Sequence, residues 1–120
     1  MLRDGIALSI YPITAAQWDA LREIAERCGM DRSELVRDAL NRFLDERDRT
    51  GGGRYVYPAS PRLTPEEKTN INPRSLWIKE SMMERVRQRC GADRVHQSEF
   101  VLHALRRYLE TEGIEIDPPL

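Results

Sequence analysis

The chain has 120 residues, 19 Lys+Arg against 20 Asp+Glu, and a formal charge of −1. That length allows one compact domain, or two very small ones, around a core of modest size. A hydrophobic content of 40% excludes disorder throughout. No apolar run approaches the ~20 residues needed to span a bilayer. Met1-Leu2-Arg3-Asp4 opens no signal-peptide apolar stretch, which predicts a cytoplasmic protein with reduced thiols. Near-neutral charge weighs, at first sight, against a nucleic-acid partner, because such proteins usually carry a basic excess. Two cysteines and two histidines are too few for a metal knuckle, so no metal or cofactor is expected.

In chain order, Ile6-Ala7-Leu8-Ser9-Ile10-Tyr11 alternates like a half-buried strand, with Ile6, Leu8 and Ile10 on one side. Thr14-Ala15-Ala16-Gln17 is a capping-box pattern, opening a helix with Trp18, Leu21, Ile24, Ala25 and Cys28 on one face. Gly29 suits the left-handed position that ends such a helix. Asp31-Arg32-Ser33-Glu34 is a second capping box, ahead of a stripe of Leu35, Val36, Ala39, Leu40, Phe43 and Leu44. Gly51-Gly52-Gly53 breaks the chain, and Thr64-Pro65-Glu66-Glu67 predicts one helical turn with proline at its first position. The connector at 48–73 reads either as a tether or as an added contact, with Tyr55 and Tyr57 suited to packing on the body. Ser75-Leu76-Trp77-Ile78-Lys79 is a second strand, with Leu76 and Ile78 on one side. Ser81-Met82-Met83-Glu84 predicts a cap for a helix carrying Met83, Val86 and Cys90, ended by Gly91. A last stripe holds Phe100, Val101, Ala104, Leu105, Tyr108 and Leu109, leaving His103 on the solvent side.

An internal repeat is the strongest signal. Residues 27–44 align with 89–109 if Val95-His96-Gln97 is an insertion, giving eighteen pairs of which twelve are identical. The pairing sets Cys28 against Cys90, Gly29 against Gly91, Asp31 against Asp93 and Arg32 against Arg94. It places both cysteines at equivalent helix ends, where burial is expected. The organisation is therefore one domain over 1–120, with repeats at 5–47 and 74–111, a connector at 48–73 and a tail at 112–120.

The order of strand, helix, Gly turn and capped helix, with G-x-D-R-S-E-L-V at 29–36 and A-L-x-R-F-L at 39–44, resembles the ribbon-helix-helix family of DNA-binding proteins. The second copy lies at 91–109, and the resemblance covers about three-quarters of the chain. It implies a mainly α fold with a short two-stranded antiparallel ribbon, in which tandem repeats form one pseudo-two-fold domain. One strand with two short helices cannot bury enough surface alone and leaves its strand unpaired. The connector can span ~90 Å when extended, so both halves can come from one chain, making a monomeric pseudo-dimer that associates with further copies on DNA.

By the same resemblance, base contacts fall to the outward side chains Ala7, Ser9, Tyr11, Ser75, Trp77 and Lys79. Trp77 and Tyr11 fit either that face or the core, and a one-residue slip would turn Arg74 outward. Phosphate contacts fall to Arg32, Ser33, Arg94, Ser98 and Arg74, near helix N-termini that favour anions. Asp31 and Asp93 read equally well as plain caps, and Arg32 and Arg94 as surface partners of Glu34 and Glu99. Charge by segment removes the first objection: residues 1–50 carry −2, 51–79 carry +3 and 80–120 carry −2. A neutral total can therefore contain a basic face. The sequence offers no catalytic constellation, so the expectation is a non-enzymatic double-stranded DNA-binding protein. Its roles would be transcriptional regulation or accessory work in plasmid, conjugative or T-DNA processing. The alternative is a protein-interaction module that keeps the fold and has lost DNA binding.

Overall fold

A computed structural model describes residues 5–50, 55–59 and 61–120. The predicted features at Met1–Asp4 and Gly51–Gly53 lie outside the described residues. Seven elements follow in order: β1 (Ile6–Ile10), α1 (Ala15–Arg27), α2 (Arg32–Thr50), α3 (Pro65–Lys68), β2 (Arg74–Ile78), α4 (Glu80–Asp93) and α5 (Gln97–Glu112). The protein is mostly helical with one short two-stranded antiparallel sheet. No described helix is long and apolar enough to cross a membrane.

β1 and β2 pair with Leu8 opposite Leu76, flanked by Ala7 opposite Trp77 and Ser9 opposite Ser75. Period-two alternation sends Leu8, Ile10, Leu76 and Ile78 into the core and leaves the intervening side chains exposed. The helices beneath complete one continuous core, in which α2 and α5 pack on each other around Phe43, Phe100, Leu40 and Leu105. Each of these is almost fully buried, so truncating one to alanine costs about 2–5 kcal/mol.

Local signals hold where they depend on neighbours. Thr14 and Gln17 form the reciprocal cap of α1, Asp31 and Glu34 that of α2, and Thr64 and Glu67 that of α3. Gly29 and Gly113 are left-handed at φ 73° and 68°. The predicted Ser81 cap does not form, because α4 begins at Glu80 directly after the strand, with Lys79 as an N-cap that makes no side-chain bond. α2 runs on to Thr50, into the expected connector.

The predicted end of α4 is also corrected. Gly91 lies inside the helix, which continues to Asp93 and closes at Arg94, left-handed at φ 55°. The matching closures are Met30 N–H to the Ala25 carbonyl and Val95 N–H to the Cys90 carbonyl, each 3.0 Å. Gly29 thus corresponds in geometry to Arg94, not Gly91, and buried Ala25 corresponds to buried Cys90. Cys28 is exposed at its helix end, so the two cysteines are not equivalent and only one is buried. The extra residues of the second copy are offset by α4 starting three residues sooner after its strand than α1 does, so no insertion precedes Ser98. Consequently Ser33 and Ser98 do match, each the second residue of its helix.

The connector and tail are both anchored. Tyr55 and Tyr57 pack edge-on against Phe43, with ring centroids 5.6 and 6.0 Å away. Ile71 bridges to Thr14, and Leu120 is buried while Gln17 Nε2 donates to the carbonyls of Pro118 and Pro119. His103, expected at the surface, is 5% exposed, because Tyr55 covers that side of α5 and its hydroxyl lies 2.6 Å from the His103 Nε2. Burial, first, and the nearby arginines push the imidazole down to about 4.

Candidate nucleic-acid interface

The candidate surface is the outer face of the β1–β2 sheet and the helix ends beside it. Ala7, Ser9, Ser75 and Trp77 all face outward, with Trp77 51% exposed. Tyr11 follows the first strand at 49% exposure and Lys79, also exposed, follows the second. The register excludes the one-residue slip. Arg74 lies opposite Ile10 at the sheet's end and is half-buried, so it does not join the outward row. The centre of this face is low, with two serines opposite one another, and its ends are aromatic and cationic. Arg37 of α2 ties the sheet to the body, donating from Nη1 to the Trp77 carbonyl at 3.1 Å.

The expected phosphate-contacting residues separate into two groups. Arg32 leaves Glu34 to its capping role and lies over the Trp18 ring, 4.1 Å from the centroid. Arg74 lies over the same ring at 5.9 Å. Burial lowers the Arg32 pKa, as does the charge of Arg22 and of Arg74 nearby. Ser33 sits in the first turn of α2 beside this cluster. In the second half, Arg94 ends α4 with an exposed side chain, and Ser98 begins α5. The N-cap of α5 is His96, which makes no side-chain cap bond.

Asp93 is neither a cap nor part of an anion site. Its carboxylate takes a bidentate pair from Arg47, both side chains being almost buried, and a further hydrogen bond from the Tyr57 hydroxyl. Those bonds hold the carboxyl below its ordinary pKa against the effect of burial. Trp18, read from the sequence only as part of a helix stripe, turns out to be the platform for two arginines. The i, i+4 spacing of Trp18 and Arg22 was the available signal, but Arg74 reaches the ring only through the tertiary fold.

Five arginines elsewhere are neutralised. Arg42, Arg47, Arg85, Arg89 and Arg107 all pair with carboxylates on α2, α4 or α5. Among the described residues Arg22, Arg32, Arg74 and Lys79 make no such pair. Cations without a carboxylate partner thus stand beside the sheet, as Arg27, Arg49, Arg62, Arg87 and Arg94 do elsewhere on the described surface. No cluster of three His, Cys, Asp or Glu side chains among the described residues could hold a metal ion. Comparisons with protein-family models, curated proteins and solved structures find no match to this chain.

Proposed function

We propose that the chain is a non-enzymatic double-stranded DNA-binding protein whose β1–β2 sheet enters the major groove. In this reading it is a tandem ribbon-helix-helix unit, one chain supplying both halves of a pseudo-dimer. The observation that carries the proposal is the two-sidedness of the sheet. Its inner face buries Leu8, Ile10, Leu76 and Ile78, while its outer row presents Ala7, Ser9 and Ser75 at the centre with Lys79 at one end. A two-stranded ribbon fits a major groove about 12 Å wide, and serine and lysine hydrogen-bond base edges. Cations without carboxylate partners beside the sheet support it, since they supply the sequence-independent attraction to phosphates. The two strands carry different outer residues, which favours a non-palindromic site. Regulation of transcription, or an accessory role in plasmid, conjugative or T-DNA processing in the cytoplasm, is the matching biology.

The exposed Trp77 and Tyr11 favour a second reading, a protein-interaction module on the same fold. A salt titration with random duplex DNA separates them. Affinity that falls steeply with salt supports DNA binding, and absence of binding at 50 mM salt overturns it.

A further inference from the structure

We infer that Trp18, Arg22, Arg32 and Arg74 form a phosphate clamp that grips the DNA backbone on one flank of the sheet only. The inference rests on the DNA-binding reading and adds to it a site and a direction. Two guanidinium groups lie over one indole, those of Arg32 and Arg74, and Arg22, one helical turn from Trp18 on α1, is near enough to Arg32 to act on it by charge.

Like charges at such range repel, and this chain has carboxylates enough to relieve them, as it does for five arginines elsewhere. Here it does not. Asp19 and Glu26 act on Arg32 only at a distance, and among the described residues no carboxylate forms an ion pair with any of the three. Stacking on indole holds the guanidinium planes in place at small entropic cost and leaves their edges for phosphate oxygens. Trp18 is therefore a positioning residue and the arginines are the contacts.

The second half has no counterpart. Where the first has Trp18 and Arg32, the second has Met83 and Gln97, bonded to each other with Gln97 Nε2 2.8 Å from the Met83 sulfur. Arg94, Arg87 and Lys79 are exposed on that half as separate cations without an aromatic platform. The two flanks thus present unequal grips to a duplex, which gives the bound protein a preferred orientation.

The test uses the full chain and a random duplex, with affinity followed by anisotropy over a range of salt. Each lost phosphate contact lowers the log–log salt slope by about 0.9. R32A/R74A should lower it by about two and weaken binding at least about tenfold at 100 mM salt. The control R49A/R62A removes two exposed arginines outside the cluster and should change the slope by clearly less. In W77F, Trp18 is the sole tryptophan, and its emission should change on DNA addition with the midpoint seen by anisotropy. An equal loss in the control, an unaltered R32A/R74A slope, or silent Trp18 emission during binding overturns the clamp and leaves the DNA reading standing. No binding by the wild-type chain overturns both.

Discussion

Arg47 places Nε and Nη2 on the two carboxylate oxygens of Asp93, each at 2.9 Å, and so ties α2 to the far end of α4. Both side chains are nearly inaccessible, at 2% and 6% exposure. Pairing with Asp93 raises the Arg47 pKa and lowers that of Asp93. Removing one member strands the other: D93A should destabilise the protein by about 3–5 kcal/mol in urea unfolding. The double change R47M/D93L removes both charges, and recovery of most of that loss is expected. Additive losses would show that the pair is not a coupled unit.

Tyr57 bonds the same carboxylate through its hydroxyl and covers Phe43 and Phe100 with its ring. Y57F should therefore cost about 1 kcal/mol, the scale of one hydrogen bond. Y57A should cost about 3 kcal/mol, because it also opens a gap beside the core. Equal effects in chemical denaturation would mean the ring contributes nothing and residues 55–59 are only a tether.

His103 gives the fold a defined acid sensitivity. Its folded pKa is about 4, below the usual 6.5 of an unfolded imidazole. Between those values the unfolded chain takes up a proton that the folded chain refuses. Stability is thus fully present above pH 6.5 and declines as pH falls toward 4, by at most about 1.4 kcal/mol per pH unit. Asp93, whose pKa is lowered, adds its loss only below about pH 3.8. Melting temperatures between pH 7 and 4.5 should fall for the wild type and fall less for H103F; identical slopes would remove the assignment.

On the outer face of the sheet, base contacts and backbone contacts predict different signatures. S9A and S75A should each relax preference at one base position, worth about 1–3 kcal/mol, while leaving the salt slope unchanged. K79A removes a base contact that is also a charge, so it should relax preference at its own position and lower the slope as well. Selection of binding sites with each variant reads both quantities, and unchanged preferences would move recognition off this face.

Unequal flanks can be made less unequal. Q97R places on the second half, at the matching first position of α5, the cation that Arg32 supplies on α2. It should raise the salt slope by about one and make backbone protection in hydroxyl-radical footprints more nearly symmetric. Stronger binding with an unchanged slope would argue that the added residue acts through packing alone.

Much of the fold is legible along the chain, since a strand, a cap or a helix stripe is set by residues within a few positions of one another. The alternation of Ile6, Leu8 and Ile10, the Thr14–Gln17 cap and the left-handed Gly29 all depend on such neighbours. The second copy shows the limit. Its R-C-G-x-D-R match is strong as a string, yet α4 starts immediately after β2, and that shift carries Gly91 into the helix and Asp93 to Arg47. Identity of residues did not ensure identity of place, because the phase of a helix is set by where it begins.

Local spacing alone places β1, α1 and the start of α2, the two-faced strands and the serines at the first turns of α2 and α5. Only the tertiary structure decided the pairing of Leu8 with Leu76, the burial of His103 under Tyr55 and the meeting of Arg32 and Arg74 on Trp18. Those contacts join residues far apart in the chain. They follow from which apolar faces meet to exclude water, and no short-range pattern encodes that choice.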